Sequence, residues 1–160
     1  MRMDVNAILS AIVSAFSGIK GIDALVLGGS RATNTANAHS DIDVGVYYNI
    51  DFDLDALKSA CERLDDAHRK DCITDIGQWG LWINGGGWLT VQGVPVDILF
   101  RDTGKVSKCI EECTNGIITL DYQCGHPFAF VNAIYMGEVY HCKILKSPAV
   151  AFWWSPLSAG

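Results

Sequence analysis

The segment from Ala24 to Tyr48, "ALVLGGSRATNTANAHSDIDVGVYY", limits the folds open to this chain more than any other. Two apolar runs of strand character frame it. The first closes on Gly-Gly-Ser, and the second opens on Asp-x-Asp. Along a strand the side chains alternate, so Asp41 and Asp43 point to one face about 7 Å apart, while Ile42, Val44 and Val46 point to the other. Two anions held this close repel each other. Either water bathes the polar face of an amphipathic strand, or the pair serves a divalent cation, for which hard oxygen ligands are suited.

The flanking sequence sets the fold class. Val5, Ile8, Leu9, Ile12, Val13 and Phe16 recur at helical spacing behind Asp4, an N-cap residue, and Gly18 and Gly21 end that helix. A short helix and turn are expected over Ser30 to Asn37. Asp53 is placed to cap a helix running to about His68, with Leu54, Leu57, Ala60, Cys61 and Leu64 on its inner face. "WGLWINGGGWLTVQGVPVDILF", residues 79 to 100, reads as two or three strands with the sharpest turn at Gln92 and Gly93. Helices are expected over 105–114 and 127–136, and a last strand over 139–145. Alternating helices and strands define an α/β or α+β class: a mixed, twisted sheet flanked by helices. The 160 residues suit one domain, placed at 1–146, followed by a short apolar tail at 147–160.

A third carboxylate adds weight to the metal reading. Asp97, in "VPVDILF", interrupts a continuous apolar run of the kind found in central strands. A buried carboxylate needs a partner. A lysine or arginine would serve, and so would a metal held jointly with Asp41 and Asp43. The glycines of "GGS" let backbone N–H groups approach a ligand closely where strand turns to helix, and Ser30 adds a hydroxyl. "NGGGW" at 84–88 reads as a hairpin turn or a close strand approach.

Taken together, "GGS" at 28–30, "SDIDV" at 40–44 and "VDI" at 96–98 resemble the motifs of the nucleotidyltransferase superfamily of the DNA polymerase β type. The likeness is closest to small bacterial nucleotidyltransferase-domain proteins, relatives of the antibiotic nucleotidyltransferases and of the minimal nucleotidyltransferases. The resemblance implies a polymerase-β-like fold and transfer of a nucleoside monophosphate, AMP from ATP, to a hydroxyl of a small molecule or protein, with release of pyrophosphate. It implies Asp41, Asp43 and Asp97 as catalytic residues holding two Mg²⁺ ions, or Mn²⁺ in their place. It further implies Gly28, Gly29, Ser30, Arg31 and Ser40 as nucleotide-binding residues. Many relatives carry a basic residue and a glycine shortly after the serine motif, where this chain has Thr33 and Asn34. Asn tolerates positive φ, and Arg31 is placed to supply the charge. The family's further C-terminal helices have no counterpart in the short tail, so a second copy or a companion protein is expected to complete the acceptor site. The rival reading keeps the same fold as a non-catalytic nucleotide-binding or regulatory module, such as an antitoxin-like partner.

Composition narrows the partners. A formal charge of −6 repels a phosphate backbone and favours small-molecule or protein substrates over nucleic acid. Six cysteines without a CxxC pair, and a first helix with an acidic residue ahead of it, suggest reduced thiols in a cytoplasmic protein with no membrane span. Cys109, Cys113 and Cys124 are better read as buried thiols than, with His126, as a zinc site, and His126 either lines the cleft or caps the next helix. Trp79, Trp82 and Trp88 read as sheet and core, with one of them able to flank a nucleotide.

Overall fold

A computed structural model describes residues 4–37, 40–122 and 129–146. In chain order the elements are α1 (Val5–Phe16), β1 (Ile22–Leu27), α2 (Gly29–Ala32), β2 (Ile42–Tyr48), α3 (Leu54–Leu64), β3 (Gly86–Val91), β4 (Val94–Asp102), α4 (Thr103–Thr114), β5 (Leu120–Asp121), β6 (Phe130–Val131), α5 (Ala133–His141) and β7 (Lys143–Lys146). Five strands form a mixed sheet in the order β3-β4-β2-β1-β7. Strands β2 and β4 run parallel, and the other neighbouring pairs are antiparallel. Strands β5 and β6 make a separate small ladder. The expected mixed sheet flanked by helices is therefore the architecture found.

Both faces of the sheet are covered, which is why its central strands are so apolar. On one face Leu25, Leu27, Ile42, Val44, Val46, Val96, Ile98 and Phe100 pack under α1 (Ile8, Leu9, Ile12, Phe16) and α3 (Leu57, Ala60, Cys61). On the other, Ala24, Val26 and Tyr47 meet α4 through Val106, Cys109 and Ile110, and α5 through Tyr135 and Val139. The alternation within β2 is thus a division of labour. Ile42, Val44 and Val46 fill the first core, leaving Asp43 on the second face with Gly45 and Tyr47.

The helix starts follow local capping chemistry. Asp4 accepts from the Ala7 N–H (3.1 Å), Asp53 from Ala56 (2.9 Å) and Asp102 from Lys105 (3.1 Å), each satisfying a donor that the first turn leaves orphaned. Gln92 and Gly93 both take positive φ, 53° and 76°, at the tight β3–β4 turn. Close strand approach explains the glycine run. A Cβ on Gly86 would overlap the Ile98 carbonyl, and one on Gly87 the Cys72 carbonyl.

Four boundaries differ from the sequence reading. Helix α3 stops at Leu64, because Asp65 turns extended and is buried, accepting from Thr90 N–H (2.9 Å) and twice from the Arg69 guanidinium (2.7 and 2.9 Å). The last helix is not at 127–136. Phe130–Val131 is strand, and buried Asn132 donates to the Ile117 carbonyl (2.9 Å) while accepting from Thr119 N–H (3.2 Å). Only at Ala133 can the helix begin, and it runs through His141, so the last strand starts at Lys143 rather than 139. Residues 79–85 form bends and irregular chain, not strand. Positions 127 and 128 and the tail at 147–160 lie outside the described residues.

Asp65 carries a test of the frame. Its side chain is 0 % exposed, and the Arg69 hydrogen bonds hold its pKa well below the usual carboxylate value of 3.8 despite burial. A depressed native pKa contributes stability above the unfolded value that is lost as pH falls. Asp65→Ala should cost about 2–4 kcal/mol at pH 7, since it strands a buried amide and unpairs a guanidinium. Urea unfolding of both proteins should show that gap closing progressively below pH 3.8.

Candidate active site

A single row of residues crosses the sheet. The Gly28 N–H, just past β1, donates to the Asp43 carbonyl (2.9 Å). Asp43 is the register partner of Asp97 across the parallel β2–β4 pair, and Asp97 is the partner of Trp88 across the antiparallel β3–β4 pair. Directly paired residues project to the same side of a sheet, so both carboxylates and the indole share the face opposite the first core. Asp41 precedes β2 by one residue and is exposed, two positions along the chain from Asp43. Of the carboxylates expected from sequence to act together, Asp43 and Asp97 are therefore paired in register, and Asp41 stands two residues ahead of Asp43 at the strand start.

The loop after β1 is shaped around Asp43. Gly29 sits at φ +58°, and a Cβ there would overlap the Asp43 Oδ2 atom, so only glycine lets the loop lie against this carboxylate. Gly28 caps α2 without a side-chain hydrogen bond. The N–H groups of Gly29, Ser30 and Arg31 belong to the first turn, which has no acceptors of its own. Asn34 takes φ 61°, the turn conformation expected for it. The Arg31 guanidinium donates to the carbonyls of Asp41 (Nε, 3.0 Å) and Ser40 (Nη2), tying α2 to the start of β2. Ser40 Oγ accepts from the Asn37 N–H (2.9 Å). These two residues shape the turn, and Arg31 keeps its charge close to Asp43.

Electrostatics mark the row as a place of unrelieved negative charge. Asp43 has its pKa raised by burial and by the nearby Asp41 carboxylate, against the pull of Arg31. Asp97 is raised by burial and then by Asp43 and Asp41. Among the described residues no salt bridge reaches any of the three. Nor do three His, Cys, Asp or Glu side chains converge there into a group that could hold a metal ion. By donor chemistry the carboxylate oxygens, with their excess negative charge, suit a hard divalent ion, and the adjacent backbone N–H groups suit an anion such as a phosphate.

A cleft of about 640 Å³ opens from this loop, lined by Gly28, Gly29, Ser30, Thr33, Thr35, Asp43, Gly45 and Tyr47, and by Gly137, Glu138, His141 and Cys142 on α5. Its floor holds an ion pair. Arg101 is 4 % exposed and donates to both Glu138 oxygens (2.7 Å each) and to the Phe100 carbonyl (2.8 Å).

Residues 8–118 match the model of the nucleotidyltransferase domain. The chain belongs to this family. The match runs from α1 through α4 and contains the whole Gly28–Asp43–Asp97–Trp88 row, so the resemblance drawn from the three motifs holds across most of the domain. Membership carries a transferase activity on a nucleotide substrate. A search of curated proteins returns no match.

In this nucleotidyltransferase domain several site residues were not legible in the motifs. Glu138, Arg101 and Gly137 line the cleft from α5 and β4, and α5 lies beyond the matched residues. Lys143 on β7 donates to Asn34 Oδ1 (2.7 Å) and to the Arg31 carbonyl (3.2 Å), bringing a cation to the loop after α2. Trp88 corrects the core reading, being 58 % exposed. Cys61, Cys72 and Cys109 are buried free thiols, with Cys109 pushed up to about 11 chiefly by burial. Cys124 and His126 lie outside the described residues. Among the described residues no helix is long and apolar enough to cross a membrane.

The raised carboxylates fix the sign of a stability test. A group whose native pKa exceeds its unfolded value stabilises the fold below the unfolded value, and that contribution is lost as pH rises through the native one. Asp43→Asn and Asp97→Asn should therefore raise the melting temperature at pH 7 without divalent cation. The gain should vanish near and below pH 3.8, the ordinary carboxylate value. Calorimetric scans at pH 3.5 and 7 check both.

Proposed function

We propose that this domain transfers a nucleoside monophosphate, AMP from ATP by likeness to its family, to a hydroxyl group of a small molecule or protein. The observation that carries the reading is the transverse row, in which two facing carboxylates sit between a glycine loop and an open strand. The acceptor oxygen forms its bond to the α-phosphorus as the bond to the bridging oxygen of pyrophosphate breaks. Pyrophosphate leaves with that electron pair, and the hydroxyl proton passes to a carboxylate. Asp97 fits that role by its place in the row, on the β3 side of Asp43, and burial raises its pKa as it raises that of Asp43. The N–H groups of Gly29 and Ser30 and the Ser30 hydroxyl would hold the leaving phosphates, with Lys143 and Arg31 adding positive charge nearby. Asp41, Asp43 and Asp97 would hold Mg²⁺, or Mn²⁺, which when bound neutralises triphosphate charge.

The cleft beneath α5 is the natural seat of the donor nucleoside. Glu138 accepts hydrogen bonds, which suits a base with an exocyclic amino group, adenine among them. Gly137 faces open space, since a Cβ there meets nothing within 4 Å.

Mg²⁺ and ATP together should raise the melting temperature well beyond Mg²⁺ alone, because the phosphates supply ligands that three carboxylates lack. Product masses from labelled triphosphates, Mg²⁺ and a panel of hydroxyl acceptors read the transfer itself. Asp43→Asn and Asp97→Asn should each lower turnover on the order of 10²-fold or more, the scale for losing a group that handles developing charge. Titration calorimetry finding no triphosphate binding in the presence of metal would refute the proposal, and binding without turnover on any acceptor would favour the regulatory reading. Separately, Gly137→Leu should weaken ATP binding about tenfold by filling the cleft. Its melting temperature should hold or rise, since glycine inside a helix costs up to about 1 kcal/mol.

A further inference from the structure

Strand order places something definite on the far side of the carboxylates. The sheet runs β1-β2-β4-β3, so one row reads Gly28, Asp43, Asp97, Trp88, at about 4.8 Å per strand. In-line displacement sets the attacking oxygen opposite the leaving one. With pyrophosphate at the Gly29–Ser30 end, the attacker must come from the β3 end. Trp88 stands there with its ring tilted against that of Trp79, centroids 5.1 Å apart and planes at 37°.

We infer that Trp88 and Trp79 form the seat of the acceptor, which is a neutral or cationic small molecule presenting a flat ring beside its hydroxyl. This rests on the transfer reading above. The pair is poorly explained as core, because Trp88 is 58 % exposed, although indole is among the largest apolar groups available for burial. The backbone that carries it is anchored. The Trp88 backbone N–H donates to the Cys72 carbonyl (3.1 Å), and Arg69 Nη2 donates to the Trp88 carbonyl (3.0 Å). The loop bearing Trp79 is pinned by Gly77 N–H and Trp79 N–H donating to the Asn84 carbonyl (2.7 and 3.4 Å), and by Asn84 Nδ2 donating to the Tyr48 hydroxyl (2.5 Å). A platform fixed in advance loses little entropy on binding.

Charge selects among ring-bearing ligands. Indole faces are electron-rich, Asp97 lies beside them, and the chain carries −6 overall, so anionic rings and nucleic-acid ends are disfavoured. The donor base is not the occupant, because its cleft leads from Gly28 toward α5, away from β3.

The test uses the intact chain with Mg²⁺ and the non-transferable analogue α,β-methylene-ATP. Three probes are titrated by NMR: 2-(4-hydroxyphenyl)ethanol, ethylene glycol and 4-hydroxyphenylacetate. The neutral ring alcohol should bind about tenfold or more tightly than ethylene glycol, the scale of stacking on one aromatic side chain, and more tightly than the anion. Trp88→Ala should abolish that preference and Trp88→Phe should keep most of it, with analogue affinity unchanged within about twofold in both. The assignment is overturned if Trp88→Ala retains the ring preference, or if it loses the analogue as well, which would make the platform a donor-base seat. If the wild type binds the analogue but no ring probe, this inference alone fails. If it binds no analogue, the transfer reading fails and the acceptor role with it.

Discussion

Two like charges placed side by side on parallel strands are the constraint on which the rest of this structure depends. Left to themselves, Asp43 and Asp97 oppose folding, since burial and mutual repulsion both disfavour their charged forms. The strands tolerate them because their opposite faces are fully committed to the first core. Ile42, Val44, Val46, Val96, Ile98 and Phe100 are all 0 % exposed. Each such side chain contributes about 1.5–3 kcal/mol of transfer free energy, enough together to outweigh one unfavourable contact on the reverse side. Stability and chemistry are thereby assigned to opposite faces of the same two strands.

Holding those faces in register is the task of buried polar clamps rather than of more apolar surface. Asp65 fastens the end of α3 to β3, and Asp66 accepts from both Gln92 and Gly93 N–H groups (2.9 and 2.8 Å) at the hairpin tip. On the other face the Arg101–Glu138 pair locks α5 to β4, with the charge of Arg101 sustained by Glu138 although burial opposes it. Such pairs confer direction where apolar packing alone would let a helix slide. The first clamp reaches Trp88 through Arg69, and the second lines the cleft that Asp43 shares.

Local pattern carried much of this. The caps at Asp4 and Asp53, the Asp-x-Asp strand, the turn at Gln92–Gly93 and the third carboxylate all depend on residues within a few positions of each other, where period and turn chemistry are visible. Register is not a local property. Nothing in "NGGGW" or "VPVDILF" says that Trp88 faces Asp97, or that Asp97 faces Asp43, until the strands pair. The α5 wall was hidden for a different reason. Glu138 finds Arg101 across 37 positions, and the helix start is set by Asn132 bonding to Ile117 and Thr119 rather than by its own periodicity. At Asp65 a buried carboxylate overrode a helical pattern that continued to about His68, a tertiary decision that propensity cannot anticipate.

The topology also explains why an exposed tryptophan can stand beside the carboxylates at all. Parallel β2 and β4 cannot be joined by a tight turn, so the chain crosses over through α3 and returns along β3, leaving β4 central and β3 at the edge. A central strand covered on both faces has no room for a protruding indole. An edge strand does, because among the described residues no further strand lies beyond it in the sheet. Edges invite unwanted pairing, yet here the Ile73–Gly87 bridge and the Cys72 carbonyl occupy the outer side of β3. The glycines that allow this tight cover also keep the strand's buried end flat, so Trp88 becomes its first residue with a large side chain on the site face. Placing the Asp43–Asp97 contact in the centre of the sheet therefore leaves, one strand away, the position most able to present a rigid aromatic surface to a ligand.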